Sequence, residues 1–379
     1  MSYLATSHFL DDNEFVDKYL YSMRTGELDL SWMDASTKDV HCTSANERRG
    51  LTFRDLDVDG YGFSDLPEVV RENRCYAPRG AEIPDGVPDM QASVNRSSDV
   101  WAYNVEGYVE EAMSRQWDAT TDIPWAELQE AELPEEIGKA YAQLLTFLTE
   151  VEMIATDVPA KWMGQVNADF IEVKNFIALQ AMDEARHAEI FRKRALSTGY
   201  GLMRASVQNE HNLKFLRDAE TFSEASVTLH LQAEGNVLTM FRFSEYISPT
   251  DADKRMFRLV MQDEARHVGY GMQHLKWLMK HNPECRETLH AHLEEAENFL
   301  FGSIFANEVF EPFVILSGKG LKKENIDKGL VITGMFQMRQ TEEYFERLDK
   351  CGLTDRRERS RLHEVYEMTK QGLAAQGAI

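Results

Sequence analysis

The sequence predicts an all-α fold: a bundle of four long helices flanked by N- and C-terminal helices. Three observations carry this. From about residue 99 onward apolar residues recur with a period near 3.6, and β-type alternation is scarce. Capping residues, prolines and glycines punctuate that stretch at helical lengths. The pentapeptide Asp-Glu-Ala-Arg-His occurs twice, at 183–187 and 263–267, in two separate helical segments.

Residues 1–98 read differently, with Gly, Pro and Asp clusters at 55–62 and 78–88. Only short helices are predicted there, at 11–23 and 66–72. Residues 1–98 are expected to be an irregular N-terminal extension packing on the helical domain 99–379. Within that domain a helix is predicted over 99–117, then a turn over 119–124. A long helix follows over 134–163, with Pro134 at its first turn, where a missing N–H costs nothing. The next covers 167–197 and is stopped by Thr198-Gly199. The third long helix, 223–246, ends near Ser248-Pro249. The fourth starts at Thr250 or Asp251, both good N-caps, and runs to 280 before Asn282-Pro283. Helices at 284–315, 323–348 and 354–371 complete the chain.

Composition narrows the function classes. The 379 residues are 43% hydrophobic and 28% charged, with a formal net charge of −23. So acidic a surface repels phosphate backbones, which argues against a nucleic-acid partner. It could steer a basic electron-transfer protein. No apolar run approaches the ~20 residues that span a bilayer, and the first residues lack a secretory pattern. Cys42, Cys75, Cys285 and Cys351 form no C-x-x-C pair, so neither a disulfide framework nor a thiolate site is expected. A cytoplasmic protein without a membrane segment is the expectation.

The chemistry lies in the repeated pentapeptide. Each copy contains Glu-x-x-His, which on a helix places a carboxylate and an imidazole one turn apart on one face. The apolar stripe of the second long helix reads Val173, Ile177, Gln180, Glu184, His187, Phe191. That of the fourth reads Phe257, Val260, Glu264, His267, Gly271, His274. Ionisable groups inside an apolar stripe need partners or a cation, because an unpaired buried charge is costly. Two more carboxylates come from the other helices. Glu152 shares a face with Leu145, Leu148, Ala155 and Pro159, whereas its competitor Glu150 lies with Gln143, Thr146 and Asp157. Glu234 is the one acidic member of the stripe Val227, Leu231, Leu238, Phe241, and Gly235 beside it would permit close helix approach.

The expected metal ligands are therefore Glu152, Glu184, His187, Glu234, Glu264 and His267. Four carboxylates and two neutral imidazoles carry −4, the charge that two divalent cations neutralise. Such a donor set suits Fe or Mn better than structural zinc. Asp183 and Asp263 are expected to accept the free N–H of a histidine, and Arg186 and Arg266 to hold those aspartates. His230, one turn before Glu234, is open between a ligand and a hydrogen-bonding support. Met153, Met163, Met182, Met240 and Met261 read as core filler. Asp55-Leu-Asp57-Val-Asp59-Gly60 is half a calcium loop, but position 66 is leucine rather than the closing glutamate, so an acidic turn is expected.

The doubled Asp-Glu-Ala-Arg-His resembles the ferritin-like di-iron oxygenase superfamily over about 134–280. Its members include multicomponent monooxygenase hydroxylases, aromatic acyl-CoA epoxidases and the radical-generating subunits of ribonucleotide reductase. The resemblance implies a ferritin-like bundle holding two Fe ions, with Mn/Fe as the alternative. It implies an O2-activating monooxygenase that inserts oxygen into a small organic substrate with electrons from a separate ferredoxin or flavin reductase. An N-oxygenase or oxidase on the same scaffold is the first alternative; a ferroxidase or iron-handling protein, or a radical-generating subunit, is the second. Three positions depart from subfamily patterns. Phe191 replaces the tyrosine of radical-generating subunits, Val260 the third histidine of arylamine N-oxygenases, and Leu238, followed by Thr239, the threonine of methane- and toluene-type hydroxylases. A homodimer is one option for the assembly.

Overall fold

The computed structural model describes residues 11–35, 39–72, 75–129, 133–375 and 377. Its regular structure is helical. The described helices are α1 (Asn13–Thr25), α2 (Val105–Ser114), α3 (Glu135–Met163), α4 (Ile171–Leu196), α5 (Val207–Arg217), α6 (Phe222–Ser226), α7 (Gly235–Ile247), α8 (Asp251–His281), α9 (Arg286–Ile304), α10 (Asn307–Gly318), α11 (Lys323–Lys350), α12 (Arg356–Arg359) and α13 (Arg361–Ala375). Between α6 and α7 the chain winds as a π-helix over Val227–Glu234.

Contacts divide the chain into two units: residues 1–97 with 165–171, and residues 98–164 with 172–379. The first unit is loop-rich. The helix predicted over 66–72 is not formed. Pro67 and the β-branched pair Val69-Val70 favour extended backbone, and the segment bonds to a neighbour instead: Val70 N–H donates to Asn95 O and Ser97 N–H to Glu68 O, both at 2.9 Å. Asn167 Nδ2 donates to Arg71 O and Asn95 Oδ1. These bonds tie 165–171 to this unit, so α4 begins at Ile171, later than the predicted 167. The half calcium loop is an acidic turn, in which Asp55 accepts from Thr52 N–H and Asp57 from Ser64.

The second unit holds the four long helical segments. Thr250 caps α8 by accepting from Asp253 N–H, as its residue type predicts. Asn104, in the left-handed region at φ 61°, breaks the predicted 99–117 helix and leaves α2 starting at Val105. The single helix predicted over 284–315 is two, α9 and α10, with a break at Phe305-Ala306. Helix α5 has no counterpart in the prediction; Ser206 caps it by accepting from Asn209 N–H.

The main core joins Tyr141, Leu145 and Leu148 of α3 to Phe191 of α4, Phe241 of α7, Phe257 of α8 and Phe313 of α10. A second core gathers Leu231, Leu275, Leu293, Tyr344 and Phe345. Met153, Met163 and Met182 are exposed, against the core assignment, while Met240 is buried. None of the four cysteines forms a disulfide. Among the described residues no single helix is long and apolar enough to cross a membrane.

Candidate metal centre

Glu152 on α3, Glu184 and His187 on α4, Glu234 at the end of the π-helix, and Glu264 and His267 on α8 converge in the second unit. Each is at most 3% exposed, so no bulk water solvates their charges. They form two groups of potential metal donors, Glu152–Glu184–His187–Glu264 and Glu184–Glu234–Glu264–His267, each with its donor atoms within 4.8 Å of one another.

His187 Nδ1 lies 3.2 Å from Glu184 Oε2, 3.2 Å from Glu264 Oε1 and 3.6 Å from Glu152 Oε2. His267 Nδ1 lies 2.9 Å from Glu184 Oε1, 3.6 Å from Glu264 Oε2 and 3.7 Å from Glu234 Oε1. Glu184 and Glu264 thus offer one oxygen to each half of the cluster, the geometry of carboxylates that bridge. Glu152 and Glu234 each belong to one half. Glu150 stays outside the cluster, half-buried, with Asn209 Nδ2 donating to it at 2.9 Å.

The other ring nitrogens are held crosswise. His187 Nε2 is 3.1 Å from Asp263 Oδ2, and His267 Nε2 is 3.4 Å from Asp183 Oδ2. Each motif's aspartate therefore serves the other motif's histidine. An Nε2–H given to a carboxylate leaves the Nδ1 lone pair directed at the cluster centre. Arg186 donates to Asp263 at 2.7 Å and also to Asp183; Arg266 donates to Asp183 at 3.0 Å and also to Asp263. The result is a closed square of two aspartates and two arginines behind the histidines.

Sequence reasoning missed two residues around this square and one within the cluster. Trp117 Nε1 donates to Asp263 Oδ2 at 2.7 Å and its ring stacks on His187, while Gln116 accepts from Arg186. Neither carries a periodic signal. Gln180 donates to Glu234 Oε1 at 2.7 Å and faces His230 Nε2 at 3.1 Å; Ser226 faces His230 Nδ1 at 2.8 Å. Both nitrogens of His230 are thereby used, making it a hydrogen-bonding support. Gln180 did have a signal, as a polar member of the α4 stripe one turn before Glu184. The close approach that Gly235 allows is to the Arg347 guanidinium, which donates to Leu231 O within the π-helix. At Gly271 the absent side chain leaves room for His230.

The cluster fits metal. Glu152 Oε1, Glu234 Oε2 and Glu264 Oε2 are buried with no hydrogen-bond partner among the described residues, and Glu184 Oε1 and His267 Nδ1, 2.9 Å apart, are not aligned for a hydrogen bond, a costly arrangement unless a cation satisfies them. Burial pushes Glu152 and Glu234 well above the usual carboxylate range. Burial also opposes charge on Glu184, yet His267 and His187 hold it well below that range. Both imidazoles are raised despite burial, His187 by hydrogen bonds to Asp263 and Glu152, His267 by the charge of Glu184 and its bond to Asp183. Glu152 and Glu234 thus resist ionisation and both imidazoles favour a proton; bound divalent cations would displace those protons, since metal ligands must be deprotonated.

No protein-family model and no curated protein matches the sequence. Solved structures do match. A glycine-to-phenylalanine mutant of an R2-like ligand-binding oxidase with aerobically reconstituted Mn/Fe cofactor aligns at TM-score 0.55 and 17% identity, covering 66% of this chain and 97% of that one. A glycine-to-leucine mutant with Fe/Fe cofactor aligns at TM-score 0.52 and 15% identity, covering 66% and 94%. The fold is the ferritin-like, R2-like bundle. That confirms the fold predicted from the doubled motif.

A cavity of about 50 Å³ adjoins the cluster, its wall including Glu152, Glu234 and Glu264. Phe191 is wholly buried among Phe241 and Phe257, with ring centroids 5.5 and 5.8 Å away. Thr239 is engaged by Glu343 of α11 through its hydroxyl.

Proposed function

We propose that the chain is a di-metal oxidoreductase that activates O2 and oxygenates a small organic substrate, with electrons from a separate reductase. The observation that carries this reading is the sharing of Glu184 and Glu264, one oxygen each toward His187 and toward His267. Glu152 and His187 would complete one ion's site, Glu234 and His267 the other's. Two bound ions, Fe/Fe or Mn/Fe as in the similar oxidase structures, would supply the redox chemistry that reduces O2.

The chain's own groups prepare that chemistry. Asp263 and Asp183 keep each Nε2–H in place and so keep Nδ1 free as donor. Gln180 holds Glu234 by one oxygen and leaves the other free. Phe191, Phe241 and Phe257 keep water from one side of the cluster. No flavin, nicotinamide or iron–sulfur motif is present in the sequence, so two electrons per turnover come from a ferredoxin or flavin reductase, drawn by the acidic surface.

An oxidase on the same scaffold is the second reading, supported by the similarity to an R2-like ligand-binding oxidase. A stored tyrosyl radical is disfavoured by Phe191, which offers no phenol. The test is iron-replete expression, metal counting, and turnover under ¹⁸O2 with a chemical or flavin reductant. The expected result is ¹⁸O in an organic product. Oxygen consumption with label only in water would favour the oxidase, and iron oxidation with no organic substrate consumed would favour iron handling.

A further inference from the structure

The cavity beside Glu152, Glu234 and Glu264 carries two buried amides whose chemistry selects its occupant. Its long walls are apolar, from Leu213, Leu229, Val237 and Met240 among others, and no Lys, Arg or His lines it. Its wall also carries Asn236 and Gln340, 6% and 5% exposed, and the less buried Asn212. The orientation of both amides follows from their partners. Arg347 Nη2 can only donate, so the atom of Asn236 it meets at 3.3 Å is Oδ1. Gln340 meets the Asn236 carbonyl at 3.0 Å, so the atom it uses is Nε2. Asn236 Nδ2 and Gln340 Oε1 remain, a donor and an acceptor, and neither has a hydrogen-bond partner among the described residues. By contrast Asn209, also on the wall, is occupied by Glu150 and Ser303.

We propose that this cavity binds a small, uncharged molecule with an apolar body and one group that both accepts and donates, a carboxamide or an alcohol. This rests on the oxygenase reading, for which it names the substrate class. The ligand oxygen would accept from Asn236 Nδ2, and the ligand N–H or O–H would donate to Gln340 Oε1. A carboxylate is acceptor-only, so its second oxygen would face Gln340 Oε1 unpaired. An ammonium group would leave Asn236 Nδ2 without an acceptor. At about 50 Å³ the space equals only roughly three to five water-sized spheres, so the body is short. Ile154 and Leu213 line both this cavity and a groove of about 820 Å³, so a shift of these two side chains would open a way in.

The test is binding, read without turnover. Full-length, iron-loaded protein is held anaerobically and titrated with propionamide, n-propanol and propionate at neutral pH, using ligand-observed NMR and calorimetry. Metal content is measured on the same sample. Propionamide or n-propanol binding at least tenfold tighter than propionate is expected. In Gln340→Leu the preference for propionamide over propionate should collapse to within about threefold. In Ala233→Leu, which fills the cavity, all binding should go while metal content is kept. Equal or tighter propionate binding by the wild type would overturn the proposal, as would no binding of any probe. Those wild-type outcomes hold whether or not either variant folds. A protein with its metal but no amide or alcohol binding would sink this proposal alone; a protein that never takes up metal would sink the oxygenase reading.

Discussion

Asp263 accepts from Trp117, Arg186 and Arg266 while facing His187 Nε2. Burial opposes its charge, but His187 and the two guanidinium groups hold its carboxyl below the usual range. Asp263→Asn keeps the volume and removes the charge that fixes the imidazole. A 10- to 100-fold loss of metal affinity is expected, measured by competition with a chelator, with helical CD unchanged. His274 makes a separate test two turns along α8 from His267. It is fully buried and neutral, facing Trp101 O from Nδ1 and Ser223 Oγ from Nε2, and burial lowers it to about 4. Because the unfolded chain takes up this proton near the ordinary 6.5, the contribution is complete above that pH. It is lost as pH falls toward 4, by about 3 kcal/mol at most. Urea unfolding of His274→Gln between pH 7 and 4 should show a shallower decline than the wild type; an unchanged slope would refute the assignment. At this scale the sequence was informative where burial follows periodicity, as with Glu152 chosen over Glu150. It was silent on the crosswise aspartates and on Trp117, because those pairings join residues far apart in the chain, Trp117 in a loop, and leave no spacing to read.

Among the elements, the π-helix Val227–Glu234 and the close packing around it set where Glu234 points. A Cβ on Gly271 would come within 2.2 Å of His230 Cβ, an atom fixed to the backbone that cannot swing aside. Gly271→Ala should therefore cost about 1–3 kcal/mol or more and push the His230–Gln180–Glu234 chain out of register. A calorimetric Tm unchanged from wild type would show that the helices have slack here. The long helices were legible from capping and periodicity: Thr250 caps α8, and Gly199, at φ 84°, follows the end of α4. The π-helix was not, since a run of two turns is too short to tell its wider period from that of an α-helix. The break between α9 and α10 was also hidden, because Phe305-Ala306 contains neither glycine nor proline and continues the apolar pattern. The extended stretch 66–72 was misread because its pairing partner lies more than twenty residues further along.

At the scale of the whole molecule, a strongly acidic chain buries four glutamates at one point of a helical bundle, an arrangement that only a compensating charge makes tolerable. Metal binding and folding should then be coupled: adding Fe(II) anaerobically raises Tm in a concentration-dependent way, and a chelator reverses it. The most direct measurement is metal stoichiometry by elemental analysis after iron-replete growth, on wild type, Glu152→Ala and Glu184→Ala. The expected result is about two ions per wild-type chain, about one in Glu152→Ala, and almost none in Glu184→Ala, because the bridging carboxylate serves both halves. A wild type without bound metal, or a Glu184→Ala protein that still holds two ions, would contradict the shared-carboxylate centre.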